Sequence, residues 1–262
     1  MIELPDKIKS ILGSSVYDSD TVGMSEASVL LFEDKVLKID KVCVESENER
    51  DVMLWLKDRL PVPEVICHEI YNGRSYLLMS KLPGVMSCDE SYLTRPQELI
   101  EILATGLKML WDTDISKCIY NFSLDKKLEM AQYNVEHDLV DTDNVNPDTF
   151  GENGFQSPGH LLDWLERNRP EEDIVLSHGD FCLPNIFIKD GKISGFLDLG
   201  KTGCADRYQD IALCYRSLKD NYEGKYSGGT YEGFDPDSLF IHLGIEPDWD
   251  KINYYILMDE LF

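Results

Sequence analysis

Hydrophobic residues cluster into two short β-prone runs near the start of the chain, Val29 to Phe32 and Lys35 to Ile39. Glu33-Asp34 joins them, so the pattern predicts a hairpin with Lys38 on its second strand. From Glu45 to Leu60 the spacing becomes helical, with Val52, Met53, Leu56 and Leu60 as the apolar stripe. Leu77 to Met79 reads as a buried strand, and Ser80 to Gly84, with Pro83 and Gly84, interrupts the pattern as a linker does. We place a lobe boundary there, dividing the chain into 1–82 and 83–262. Leu99, Ile100, Leu103, Leu107, Leu110 and Trp111 then mark an amphipathic helix over Pro96 to Trp111. Ile174 to Leu176 and Ile186 to Ile188 are strand-like, and Asp190-Gly191 is a hairpin turn into a third run, Ile193 to Leu199. Helices are expected from about Tyr208 to Leu218 and over Trp249 to Phe262.

Two polar groups stand out against this pattern. Glu49 lies on the apolar stripe, three and four residues before Val52 and Met53. A carboxylate on the packed side of a helix is costly unless it meets a cation, and Lys38 is the available candidate. A lysine on a strand is more often simply exposed. The second feature is His178-Gly179-Asp180 followed by Asn185, with Asp198 inside the third strand-like run. Asp180 then falls on a loop between strands and Asp198 at a strand end. As a tripeptide, His-Gly-Asp is only a turn. With Asn185 and Asp198 in register it offers three hard oxygen donors, the set that phosphoryl transfer with Mg²⁺ requires. The Asp-x-x-x-x-Asn spacing is that of a protein-kinase catalytic loop, in which the Asp orients the hydroxyl and the Asn binds metal.

Composition narrows the picture. The 262 residues suffice for two packed lobes, and seven scattered cysteines without Cys-x-x-Cys spacing imply reduced thiols and no zinc. No signal-peptide core or membrane-length apolar stretch is visible, so a soluble, cytoplasmic protein without a membrane partner is expected. Formal charge is -24, from 49 acidic against 25 basic residues, which opposes nucleic-acid binding and favours a cationic partner. The acidity clusters in 136–153, where Glu136, Asp138, Asp141, Asp143, Asp148 and Glu152 occur with no Lys or Arg. Such a stretch is either a solvated loop or one wall of a site for a polycation. Gly23-Met24-Ser25 precedes the first strand, where a phosphate-covering loop belongs, but neither a G-x-G-x-x-G nor a Walker A sequence is present.

Together these segments resemble the aminoglycoside 3′-phosphotransferase family of antibiotic kinases along essentially the whole chain. The resemblance is carried by Met53-Leu54-Trp55-Leu56 with Leu60-Pro61-Val62-Pro63, by His178-Gly179-Asp180-Phe181-Cys182-Leu183-Pro184-Asn185, and by Gly195-Phe196-Leu197-Asp198-Leu199-Gly200. Ala205-Asp206-Arg207-Tyr208-Gln209-Asp210-Ile211-Ala212 and Asp259-Glu260-Leu261-Phe262 complete it. It implies an α+β, two-lobed protein-kinase-like fold with a β-rich N-terminal lobe, a mainly helical C-terminal lobe and ATP at the hinge. It also implies phosphorylation of kanamycin-type aminoglycosides. In that picture Asp180 is the catalytic base, Asn185 and Asp198 bind Mg²⁺, Lys38 and Glu49 position the phosphates, and Ser25 lies near the β-phosphate. The drug's ammonium groups would meet Asp141, Asp143, Glu260 and the carboxylate of Phe262, with Arg216, which is retained, and Asp220 as further candidate substrate-binding residues. Several positions depart from the family: Val36 stands where some members stack an aromatic on adenine, Lys201 where arginine is common, and Asp220-Asn221 where some members carry an acidic pair. Two alternatives stay open: a kinase of the same fold acting on choline, homoserine or a macrolide, and a silent binding protein.

Overall fold

The structure, a computed structural model, describes residues 3–13, 15–19, 27–143, 145–151, 154–226 and 229–262. In chain order it runs α1 (Asp6–Leu12), β1 (Asp18–Ser19), β2 (Ser28–Leu31), β3 (Lys35–Lys41), α2 (Val44–Leu56), β4 (Val65–Tyr71), β5 (Arg74–Ser80) and β6 (Val85–Met86). Helices α3 (Glu90–Leu93), α4 (Pro96–Trp111), α5 (Leu124–Glu136) and α6 (Pro158–Arg167) follow. Strands β7 (Ile174–Ser177), β8 (Ile186–Lys189), β9 (Lys192–Phe196) and β10 (Gly203–Asp206) precede α7 (Arg207–Tyr222), α8 (Ser238–Leu243) and α9 (Trp249–Asp259). By their internal contacts the residues group into two compact units, 1–86 with 185–201, and 87–184 with 202–262. Among the described residues no helix is long and apolar enough to cross a membrane.

The first unit is built on an antiparallel sheet in the order β1-β2-β3-β5-β4. Side chains alternate across a strand, so Leu37 and Ile39 of β3 face one side and Val36 and Lys38 the other. On the first side Leu37 and Ile39 join Leu30, Cys67 and Leu78 and are covered by Ile8 and Leu12 of α1. A second sheet, β6-β8-β9, completes this unit, with the β8–β9 hairpin turning at Asp190-Gly191 as the sequence predicts.

Helix α2 starts with a capping box: the Ser46 N–H reaches the Cys43 sulfur and the Cys43 N–H donates to the Ser46 hydroxyl. It ends at Leu56, short of the expected Leu60, because Asp58 takes a left-handed backbone at φ 67° and Pro61 follows. The predicted stripe is nevertheless buried throughout, Leu60 included. Strand β9 also stops early, at Phe196, which leaves Asp198 two residues beyond the strand.

In the second unit β7 pairs with β10, and α7 packs along α9. Asp206 caps α7 through the Tyr208 N–H and also accepts from Lys251 Nζ and Tyr255 Oη of α9 at 3.0 and 3.1 Å. That shared acceptor sets α9 against α7 and fixes where the residues at the end of α9 lie. Helix α7 runs beyond the expected Leu218 to Tyr222.

Candidate active site

In the first unit Lys38 Nζ donates to Glu49 Oε2 and to Asp198 Oδ1, both at 2.9 Å. Glu49 is 4% exposed, whereas half of the Asp198 side chain meets solvent. Burial pushes the Glu49 carboxyl above its ordinary range, against the pull of Lys38. For Lys38 burial acts in the opposite sense, favouring loss of the proton, but the charge of Glu49 and then of Asp198 outweighs it and holds the ammonium above the ordinary lysine range. Lys38 is therefore a firmly protonated cation on a preset direction. Helix phase placed Glu49 correctly, and the sheet register delivers Lys38 to it.

Asp198 occupies the left-handed region at φ 57°, a backbone that aspartate enters more readily than most residues. The neighbouring main chain holds it there. Leu197 N–H donates to the Asn185 carbonyl at 2.8 Å, Phe196 N–H to the Pro61 carbonyl at 3.0 Å, and Asn48 Nδ2 to the Gly200 carbonyl at 2.6 Å. The first of these bonds ties the Asn185 backbone directly to the residue before Asp198. An amide oxygen and a carboxylate are hard donors of the kind Mg²⁺ takes, and Mg²⁺ commonly uses one or two protein ligands with phosphates and water completing its shell. The donor set fits that habit; among the described residues there is no cluster of three His, Cys, Asp or Glu that would make a dedicated metal cage.

In the second unit Asp180 lies on the loop after β7, and that loop is held from below by α7. Asp210, fully buried, accepts the His178 N–H at 2.6 Å and the Gly179 N–H at 2.9 Å. Gln209 Nε2 donates to the Gly179 carbonyl at 3.0 Å, and Thr202 Oγ1 to the His178 carbonyl at 2.8 Å. Gly179 itself sits at φ 86°, which a side chain would disfavour. Burial raises the Asp210 carboxyl above its ordinary range, while the His178 ring and the two N–H groups pull it back. The Cys182 thiol donates to Asp180 Oδ1 at 2.9 Å, and burial followed by the Asp180 charge pushes that thiol's pKa well up, so it stays protonated. Asp210 and Cys182 were not singled out from the sequence. For Asp210 the signal existed: it is four residues before the buried Cys214 of α7, the same carboxylate-on-an-apolar-face signature that marks Glu49.

The second unit also contains a cavity of about 240 Å³ lined by Asp141, Arg216, Asp220, Asp259, Glu260 and Phe262, together with Lys225 and Tyr226. It gathers five of the six residues expected to meet substrate. Asp143 is exposed and outside this lining, its N–H bonded to Asp141 Oδ1. Arg216 is ion-paired with Asp259 and lies 3.8 Å from Glu260 Oε1, while Glu260 Oε2 accepts the Asn146 N–H at 3.1 Å. Burial raises the Glu260 carboxyl, opposed by the Asn146 N–H and Arg216. Ser25 lies outside the described residues, as does Glu152.

The chain is similar to known phosphotransferases. The profile of the phosphotransferase enzyme family matches residues 34–246. An aminoglycoside 3′-phosphotransferase of Enterococcus faecalis is 40% identical, covering 100% of this chain and 99% of its own length. One from Staphylococcus aureus is 39% identical with the same coverage. Among solved structures, an aminoglycoside-3′-phosphotransferase of type VIII superposes with TM-score 0.80 at 22% identity over 98% of both chains. An aminoglycoside phosphotransferase of Streptomyces rimosus, solved with ADP and streptomycin, also reaches 0.80, at 24% identity over 97% of this chain and 95% of its own.

Proposed function

The chain belongs to the phosphotransferase enzyme family, has a protein-kinase-like fold and is a kinase, and we propose that it phosphorylates the 3′-hydroxyl of kanamycin-type aminoglycosides with ATP. The product would be an inactivated antibiotic, and we place the reaction in the cytoplasm, where ATP is available. The observation that carries the substrate class is the cavity, where Asp141, Asp220, Asp259 and Glu260 line one small volume in the unit that also bears Asp180. Several carboxylates in one recess suit a molecule with several spread amines. A quaternary ammonium such as choline would call instead for an aromatic cage.

In this reading Asp180 takes the proton of the attacking hydroxyl. The hydroxyl oxygen bonds to the γ-phosphorus as the bond to the bridging oxygen breaks, and ADP leaves. Lys38, oriented by Glu49, binds the α- and β-phosphates, and Asn185 and Asp198 would hold Mg²⁺. When bound, Mg²⁺ supplies neutralising charge across the phosphates. Because such transfer is largely dissociative, alignment by the loop above Asp210 contributes more than deep deprotonation by Asp180.

ADP release with Mg²⁺ATP and kanamycin, run beside the 3′-deoxy aminoglycoside tobramycin, tests this. Turnover with kanamycin that collapses with tobramycin is the expected result. Equal turnover with both would reject the 3′ position, and none with either would move the substrate to another hydroxyl compound. The KM for kanamycin should also rise with added salt, since exposed charges are screened within about 8 Å at physiological ionic strength. A salt-independent KM would count against binding by carboxylates.

A further inference from the structure

We propose that Lys225 is a specificity-determining residue: its ammonium is a tethered cation seated on Asp220, so a polycationic ligand enters the cavity by exchanging one of its own amines for this side chain. The proposal rests on the polycation reading of the cavity given above. Lys225 was not expected at the site, and its placement follows from how α7 ends. The helix closes on Glu223 as its cap, and Gly224 follows in the left-handed region at φ 80°. Gly224 N–H donates to the Asn221 carbonyl at 3.2 Å, and Lys225 N–H to the Asp220 carbonyl at 3.0 Å. These are the paired bonds of a Schellman motif, which a glycine at this position permits without strain. The motif turns the chain back so that Lys225 is anchored, through its main chain, to the residue its side chain then covers.

Lys225 Nζ lies 2.8 Å from Asp220 Oδ2, and Tyr226 Oη donates to the same oxygen at 3.3 Å. The pair is asymmetric. The Asp220 side chain is 14% exposed and the Lys225 side chain 52% exposed. The carboxylate is therefore fixed in the wall, whereas the lysine can swing into water at small cost. The other cation of the lining, Arg216, is differently placed: three-quarters covered and engaged by both Asp259 and Glu260, it is part of the frame. Lys225 is thus the cavity's exchangeable positive charge. A ligand amine takes the place on Asp220 Oδ2 by displacing this ammonium, which lowers affinity for weakly charged ligands.

The test is Lys225→Met, Asp220→Asn and the double variant, with Lys117→Met as a control for the change in overall charge. Two readouts are taken: KM and kcat for kanamycin, and the calorimetric Kd for spermidine, a plain aliphatic triamine. Lys225→Met should lower both KM and Kd by about two- to fivefold, the range of an exposed ion pair. Lys117→Met should not reproduce this, and in the Asp220→Asn background the gain should vanish, because the two residues act as one pair. An unchanged or raised KM and Kd in Lys225→Met overturns the proposal, as does a gain that survives Asp220→Asn. If the wild type turns over no aminoglycoside, the substrate reading fails, while the spermidine titrations still decide the role of Lys225.

Discussion

Asp180→Asn is expected to lower aminoglycoside-dependent turnover by about 10²- to 10⁴-fold, the range for loss of a general base. The fold around it should survive. The loop carrying Asp180 is held by main-chain bonds that do not involve its side chain: the His178 and Gly179 N–H groups on Asp210, the Gly179 carbonyl on Gln209 and the His178 carbonyl on Thr202. An asparagine keeps an oxygen for the Cys182 thiol but cannot accept the hydroxyl's proton at neutral pH. The loss should therefore fall on kcat, with KM for both substrates changed little and the unfolding midpoint unchanged. Steady-state ADP release and a urea titration on the same preparation separate the two. A fall of less than tenfold would remove Asp180 from the role of base.

Lys38→Met is expected to cost both nucleotide affinity and stability, the latter by about 3–5 kcal/mol, as when one partner of a buried ion pair is removed. The reason lies with Glu49, 4% exposed and left without the cation that it meets at 2.9 Å. The pH dependence has a definite sign. In the wild type Lys38 is held above its ordinary range, so its contribution is fully present below the unfolded lysine pKa of about 10.4 and is lost as pH rises through the folded value. In the variant Glu49, already raised by burial, also loses the charge that pulled it down. The native state then binds that proton more tightly than the unfolded chain, so stability falls as pH rises through the carboxyl titration. The deficit against wild type should be large at neutral pH and shrink in acid. Adding Glu49→Gln should recover much of it, because no buried charge then remains unpaired. Denaturant unfolding across pH reads both effects, and a Lys38→Met protein as stable as wild type at neutral pH would show that Glu49 does not depend on Lys38.

Much of the candidate site is legible in the sequence. The hairpin bearing Lys38, the helix phase that turns Glu49 inward, the loop position of Asp180 and the β8–β9 turn all follow from periods of two and 3.6 residues and from turn chemistry. The errors were local competitions that a periodic pattern does not register. Asp58 and Pro61 ended α2 early although Leu60 continued the stripe, and β9 released Asp198 into a left-handed turn although Leu197 and Leu199 kept the run apolar.

What the sequence by itself determined was therefore the set of elements and the chemical identity of the candidates, because these depend on neighbours within a few turns of chain. Which candidates meet was decided by tertiary structure. Lys38 and Asp198 are 160 residues apart, Arg216 and Asp259 43 apart, and His178 and the Asp210 that holds its backbone 32 apart. Lys225 and Tyr226 line the cavity because α7 ends at Tyr222 and the chain turns back at Gly224, not because of any motif they form, and the terminal segment with Asp259 reaches it because α9 is set by Asp206. Period and spacing specify which face of an element is apolar; only packing of distant elements specifies which charge lies opposite, and burial then makes that pairing obligatory.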